Sequence, residues 1–430
     1  LKLLLEIGTE DLPAGQVSPA LEFLSGAFKA QAVTARLSHG EIELFGTPRR
    51  LCIRVNELAE TTQGIRELRQ GPSVKIAFDS SGNPTKAGLG FARGQGADIE
   101  DLTRVETDKG EYVAVEIEEP GQPTAEVLPG LLEGILRDMP WPKAMRWGWS
   151  KLAWGRPVHW IVALLDNKVL PISFADVESG DQTYGHRFLV EGPTRISSVE
   201  AYEQVLGSTG IIPSISQRQE KILSLAEAAV SPNRLVDDGN LLEEVTQLVE
   251  SPQCAVGTFD IEYLKLPREV LISEMRTHQR YFAVETPGGE LINQFVVIYN
   301  TPVTDPAVVI KGNQRVLSAR LADGAFFLKR DQQCTLQSRV ERLEQVVFLK
   351  GLGTICDKTK RLVLLSGFIS EKIFPDVKED ALRAATLCKA DLTTEMVGEF
   401  PELQGVMGRA YALADGESAA VAEAILEHYQ

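Results

Sequence analysis

The pattern of apolar and polar positions changes twice along this chain. At the start, "LKLLLEIGTE" is nearly unbroken aliphatic residue with Glu6 inside it, which predicts a strand buried in a sheet. "SPALEFLSGAFKAQAVTARL" follows with apolar residues at helical spacing, and predicts a helix capped by Ser18 with Pro19 at its first position. "IELFGTPRRLCIRVNEL" predicts two strands joined at Gly46-Thr47-Pro48. From about residue 61 to 190 the runs shorten and Gly and Pro punctuate them. "EYVAVEIEE", "RPVHWIVALLDNKVLPISF" and "DQTYGHRFL" predict strands, with one helix in "TAEVLPGLLEGILRDM". Helical spacing returns between 197 and 229. "EVLISEMRTHQRYFAVET", a turn at Pro287-Gly288-Gly289 and the strand "LINQFVVIYN" come next. From Gly312 onward nearly every run has helical period, from "NQRVLSARLADGAFFLKRD" to "ESAAVAEAILEHYQ".

These textures predict an α+β multidomain protein: an N-terminal α+β region over 1–195 with a β-rich module, an α/β linker domain over 196–311 and an all-α domain over 312–430. A length of 430 residues agrees with two or three domains at about 150 residues each. No run reaches the roughly 18 to 20 apolar residues of a membrane helix, so no membrane is expected as a partner. The first residues lack the basic region and cleavage site of a signal peptide. The last helical run is still periodic at Gln430, without a Gly stop or polar tail, so a further element is expected to cover its apolar face.

The net charge of −16 argues against a protein that coats nucleic acid, but local stripes are basic. "FGTPRRLCIRV", the Trp-rich "PKAMRWGWSKLAWGRP" and "LKGLGTICDKTKR" each group several Lys and Arg. The five Cys are scattered, without C-x-x-C spacing, as expected in a reducing cytoplasm.

Candidate chemistry is sparse. The histidines at 39, 159, 186, 278 and 428 are single, and none has metal-ligand spacing. A phosphohydrolase of the HD type needs His and Asp together to hold two ions, yet Ala390 stands before Asp391 and no His lies between 312 and 427. On one continuous helix Asp391, Glu395 and Glu399 would form an acidic stripe, and Ala385, Cys388, Leu392 and Met396 a core stripe. The acidic stripe reads as a solvated face paired with Arg383, Lys389 or Arg409, as a dock for cations of a partner, or as a Mg²⁺ site. "KAGLGFARGQGAD" has glycines without a nucleotide-loop context, and no serine-hydrolase or synthetase ATP motif occurs. In "GNQRVLSARLADGAFFLKRDQ", Val316, Leu317 and Leu321 are expected on the apolar face, with Arg315, Arg320 and Arg330 off it and Phe326 and Phe327 packed. Such cations can hold phosphates of an RNA duplex without reading bases.

Taken in order, "LLLEIGTEDLPA", "FGTPRRL", "PTKAGLGFARGQG", "MRWG", "RPVHWIVALL", "GHRF", "LPREVLISEMRTHQRYF", "GNQRVLSARLADGAFF", "LGTICDKTKR" and "KADLTTEMVGEFPELQGVMGRAYAL" resemble the β subunit of bacterial heterotetrameric glycyl-tRNA synthetases. The resemblance implies a non-catalytic subunit that grips tRNA(Gly) in an α2β2 assembly with a second β chain. The α subunit would form glycyl-adenylate with ATP and Mg²⁺, leaving no cofactor, catalytic residue or metal on this chain. It also implies an editing-like module similar to that of the phenylalanyl-tRNA synthetase β chain, an HD-like helical domain without its metal ligands, and a continuation past Gln430 into an anticodon-binding domain. With charge added, the expected tRNA contacts are Lys358, Lys360, Arg361, Lys389 and Arg409, then Arg315, Arg320 and Arg330. The alternative is a hydrolase, either an HD-type metal phosphohydrolase or an aminoacyl-tRNA editing enzyme. Two departures from the family pattern are Glu250-Ser251-Pro252, where Glu-Trp-Pro is usual, and Gly324, where a non-glycine residue is more usual.

Overall fold

A computed structural model of the chain describes residues 1–149 and 151–429. Two compact units result, Leu1–Ser216 and Gln217–Gln430, and mixed α and β elements build both.

In the first unit, β1 (Leu3–Thr9), β2 (Ile42–Thr47) and β3 (Arg50–Val55) are followed by β4 (Ile65–Ser73), β5 (Thr103–Thr107) and β6 (Gly110–Glu119). Then come β7 (Val158–Leu165), β8 (Lys168–Val169), β9 (Ser173–Phe174) and β10 (Val177–Gly180). The principal sheet has the order β2-β3-β1-β7-β10-β9, with β8 on β7, while β4-β6-β5 form a separate sheet. Strand β1 is central and wholly buried, which is why its sequence is a run rather than an alternation. Leu3, Leu5 and Ile7 pack with α1 (Ala14–Thr34) and α2 (Thr124–Asp138) through Leu21, Leu24, Phe28, Leu128 and Leu132. Leu4 and Glu6 point to the other face, where Phe45, Trp160, Val162 and Tyr202 gather.

The start of α1 differs from expectation. The helix begins at Ala14, with Pro13 before it, and Ser18 and Pro19 lie inside. The core contacts of Val17 and Leu21 carry helix on both sides of Pro19, so packing outweighs the local preference for Pro at a helix start.

In the second unit, β11 and β12 having closed the first as a short pair (Gln182–Tyr184, Pro193–Arg195), β13 (Arg234–Leu235), β14 (Gln253–Thr258), β15 (Phe282–Glu285) and β16 (Leu291–Tyr299) form a sheet of order β13-β15-β16-β14. Alternation along β16 is clean. Phe295 and Val297 face a cluster with Leu317 and Leu321, while Val296 faces Ile222, Leu241 and Val245. Leu317 and Leu321 belong to α3 (Pro306–Asp331), whose buried line continues through Gly324 to Asp331. Val316 and Phe326 are exposed instead of packed. At 3.6 residues per turn, a line through 317, 321, 324 and 331 rotates both away.

After α3 the longer helices are α4 (Ile355–Ile373), α5 (Lys378–Leu387), α6 (Val406–Ala414) and α7 (Ala419–Glu427), with shorter turns and a small strand pair, Val347–Leu349 with Gly353–Thr354, among them. Leu387, Met396, Phe400, Met407, Tyr411, Val421 and Ile425 make their core. The outward side of α4 is apolar, with Leu364, Phe368 and Ile373 exposed.

Candidate functional site

The segment around Asp391 is not one helix, which corrects the acidic stripe. Ala390–Thr393 is a 3-10 turn, Thr394 is extended, and a new helix runs Glu395–Glu399. Thr394 breaks the helix because its hydroxyl caps the next one, accepting the Val397 N–H at 3.2 Å. Asp391, Glu395 and Glu399 therefore do not share a stripe.

Asp391 is also not solvated. It is fully buried, and its Oδ2 accepts the Gly405 N–H at 2.7 Å. Gly405 stands at φ +79°, just before α6, so the carboxylate closes the entry to that helix. Burial pushes its carboxyl up to about 6, against the pull of the Gly405 and Gly408 N–H groups and of Lys389. Asp331 does the same work at the Glu395–Glu399 helix. Its Oδ1 accepts from Glu395 N and Arg339 Nη2, each at 3.0 Å. Its Oδ2 accepts from Met396 N at 3.0 Å and from the Tyr411 hydroxyl at 2.9 Å. Both carboxylates thus accept backbone N–H groups, Asp331 through both oxygens and Asp391 through Oδ2, its Oδ1 having no partner among the described residues. Asp331 was missed in the sequence because an Asp ending a helical run looks like a solvated residue; only the long-range partner at 411 reveals it.

The expected RNA contacts are dispersed over several elements. Lys358, Lys360 and Arg361 lie near the start of α4. Lys360 is exposed, and Arg361 is exposed while donating from Nη2 to the Leu352 carbonyl at 3.4 Å. Arg315 is exposed on α3. Arg330 pairs with Glu395 at 2.9 Å and Arg409 with Glu423 at 3.0 Å, so both begin with an acidic partner. Arg320 supplies positive charge beside Glu274. Lys389 is not on an exposed edge: it is only 7% exposed, and its Nζ sits 3.5 Å from the centre of the Tyr429 ring. Lys358 and Lys389 are the two that the fold brings together, on one cavity of about 410 Å³ between α4, α5 and α7.

A second polar centre lies in the first unit. Glu6, buried on β1, accepts from Trp160 Nε1 at 2.6 Å, the Tyr202 hydroxyl at 2.6 Å and the Thr183 hydroxyl at 2.5 Å. Arg50 lies 3.9 Å from its other side, also fully buried. Above this network Glu10 meets His159 Nε2 at 3.1 Å and Arg187 at 3.1 Å, around a cavity of about 260 Å³ lined also by Arg49, Trp160 and Tyr184. Burial alone would raise the Glu10 carboxyl, but the hydrogen bond and charge of Arg187, with His159 and Arg49, together hold it below its ordinary value. "GTEDLP", "TPRRL", "RPVHW" and "GHRF" converge here from four separate stretches. They lie far apart in the chain, and nothing local signals that β1, β3 and β7 are neighbours.

Comparison with known proteins places this geometry in a family. The family model described as glycyl-tRNA synthetase beta subunit matches residues 3–430. A glycine–tRNA ligase beta subunit of Geobacter metallireducens is 45% identical over 432 residues, covering 100% of this chain and 63% of the relative. One from Trichlorobacter lovleyi is 46% identical over 430 residues, with the same coverage. One from Citrifermentans bemidjiense is 45% identical over 429 residues, covering 99% of this chain and 62% of the relative. The chain spans about 63% of the length of these curated relatives. With a match running from the first strand through the last helix, the chain belongs to the glycyl-tRNA synthetase beta subunit family.

Proposed function

We propose that this chain holds tRNA(Gly) for a glycine–tRNA ligase whose bond-making is done by an α subunit. In that reading ATP and Mg²⁺ are used on the α subunit, and two α and two β chains assemble in the cytoplasm. Family membership over nearly the whole chain is the observation that carries it. The geometry of the helical part adds support. Asp391, the carboxylate weighed for a hydrolase, is buried against the start of a helix through its Oδ2, as is Asp331 at the helix Glu395–Glu399. Among the described residues, no group of three or more His, Cys, Asp or Glu is arranged to hold a metal ion. No helix of the described residues is long and apolar enough to cross a membrane.

The finer domain reading is part of the same proposal: an editing-like β-rich module within 1–195, a linker domain over 196–311 and an HD-like helical domain over 312–430. Within the last, Lys360, Arg361 and Arg315 are the cations best placed to meet phosphates, because each is exposed and none has a carboxylate within ion-pair distance among the described residues. Arg330, Arg409 and Arg320 would have to exchange an acidic neighbour for a phosphate. Lys358 and Lys389 would reach RNA only through their cavity.

Fluorescence anisotropy of labelled tRNA(Gly) against the purified chain, over a series of salt concentrations, tests this. Binding whose logarithm falls linearly with log salt, with a slope of several phosphates, is expected. Binding that is absent at low salt, or insensitive to salt, would refute it.

A further inference from the structure

The cavity between α4, α5 and α7 has a property that RNA contact along an exposed edge does not explain. Two ammonium groups share it, and neither has a carboxylate within ion-pair distance among the described residues. Lys389 is nine-tenths buried, yet its Nζ makes no hydrogen bond or ion pair with any described residue and rests only on the Tyr429 ring. Lys358 rests on Phe348, with its Nζ 4.2 Å from the ring centre, and likewise has no such partner among the described residues. A buried cation without an acceptor is costly, and a second cation on the same cavity adds repulsion. Burial first and Lys358 second push the Lys389 ammonium down from its ordinary value, with Cys388 and Asp391 pulling the other way. The acid nearest in sequence, Asp391, acts on Lys389 only from beyond ion-pair distance; its Oδ2 accepts the Gly405 N–H and its Oδ1 has no hydrogen-bond partner among the described residues.

The rest of the lining adds little charge. Burial pushes the Cys388 thiol up to about 11, so it stays protonated. His428 Nδ1 is bonded to the Ile425 carbonyl at 2.6 Å, and burial lowers its ring toward the neutral form. Ser366 offers a hydroxyl beside them. One to two turns along α4 and α5 from the amines, the lining is Leu362 with Ala381, Ala384 and Ala385, an apolar surface. A volume of about 410 Å³ lies within the range of roughly 300–1,000 Å³ usual for small-ligand sites. Paired cations beside an apolar lining suit a phosphate attached to a ring.

We propose that this cavity binds a nucleotide, with its phosphate between Lys358 and Lys389 and its base on the alanine lining. The nucleotide is either a free mononucleotide or one unpaired residue of an RNA strand. The site does not rest on the tRNA-holding reading, since a free mononucleotide would fill it whether or not tRNA binds elsewhere.

The test is calorimetric titration of the purified chain, in the absence of an α subunit, with adenosine 5′-monophosphate, adenosine and inorganic phosphate. A single-stranded oligoribonucleotide is then used as competitor. The monophosphate is expected to bind with a Kd below about 1 mM, and adenosine and phosphate each at least about tenfold more weakly. Lys358→Met and Lys389→Met should each weaken the monophosphate by about tenfold or more. Lys389→Met removes a buried charge and keeps an unbranched apolar stem, so its thermal midpoint should equal or exceed the parent's; Ala381→Leu, at a half-buried position of the lining outside the helical core, is the second variant and should also weaken binding. Displacement by the oligoribonucleotide assigns the site to an RNA strand, and failure to displace assigns it to a free mononucleotide. No monophosphate binding up to about 10 mM, or undiminished binding in folded variants, would overturn the proposal. Salt-dependent tRNA affinity is read separately in Lys360→Ala, which lies outside the lining, so failure of one reading is distinguishable from failure of the other.

Discussion

The Asp391 carboxylate accepts the Gly405 N–H from across 14 residues of sequence, at 2.7 Å, in full burial. A residue that looks like the remainder of a catalytic doublet thus serves as a cap on α6. Its neighbour Gly408 is packed against it: a Cβ there would lie 2.7 Å from Ile425 Cγ2 and 3.0 Å from Asp391 Oδ2.

This relationship has a pH signature. The Asp391 carboxyl is raised from 3.8 to about 6, so folding favours its protonated form. The stabilisation is present in full below about 3.8 and is lost as pH rises through about 6. Asp391→Asn keeps an acceptor for Gly405 and cannot ionise. Urea denaturation of both proteins between pH 4 and pH 8 should show the variant gaining on the parent by up to about 3 kcal/mol as pH rises, at roughly 1.4 kcal/mol per pKa unit. Parallel curves would contradict the role assigned to burial.

The Glu6 network should be less forgiving. Glu6→Ala takes the acceptor from Trp160, Thr183 and Tyr202 and removes the carboxylate beside the buried Arg50. A loss of about 3–5 kcal/mol is expected by chemical denaturation, the scale for breaking a buried ion pair from one side. Tyr202→Phe removes one hydrogen bond only and should cost about 1–3 kcal/mol. Equal losses for the two would show that Glu6 is not the hub.

How far the sequence revealed this depended on the range of the cause. Strand β1 and the alternation along β16 were legible because burial on one or two faces writes itself into consecutive residues. The mixed α and β character was legible for the same reason, but the all-α reading of 312–430 is corrected by the short antiparallel pair Val347–Leu349 with Gly353–Thr354, too brief to write an alternation into the sequence. The break at Thr394 was locally signalled, as a Thr ahead of Glu395-Met396-Val397 is a cap, but a four-residue charge spacing outweighed it in the reading. Asp331 with Tyr411, and Glu6 with Thr183 and Tyr202, could not be read, since each pair is joined by topology alone. Lys389 looked like any surface lysine, and only the fold puts Tyr429 over its ammonium.

Among the basic residues, prior commitment should rank the effects on RNA. Lys360→Ala and Arg361→Ala should weaken tRNA(Gly) binding and each reduce the salt slope by about 1. Arg330→Ala and Arg409→Ala release Glu395 and Glu423 as they remove a cation, and their slopes should change less. Anisotropy titrations at several salt concentrations measure this; a larger change for the paired arginines would reverse the ranking.

Glu274 offers a stability test of its own. It is buried, neither carboxylate oxygen has a hydrogen-bond partner among the described residues, and burial pushes the carboxyl up to about 7 despite Arg320. Its stabilisation is therefore full below about 4.5 and lost as pH rises through about 7. Glu274→Gln should raise the thermal midpoint at pH 8 and leave it nearly unchanged at pH 4.5. A lower midpoint at pH 8 would mean that the carboxylate has a partner there.

Most directly at stake is the division of labour between this chain and an α subunit. Glycine-dependent ATP–pyrophosphate exchange and hydrolysis of glycyl-tRNA and mischarged tRNA are measured with the purified chain alone, with the α subunit alone, and with both. The expected result is no turnover by this chain alone, with or without Mn²⁺, and exchange wherever the α subunit is present. Exchange or hydrolysis by this chain unaided, lost on substituting one of its own residues, would contradict the account.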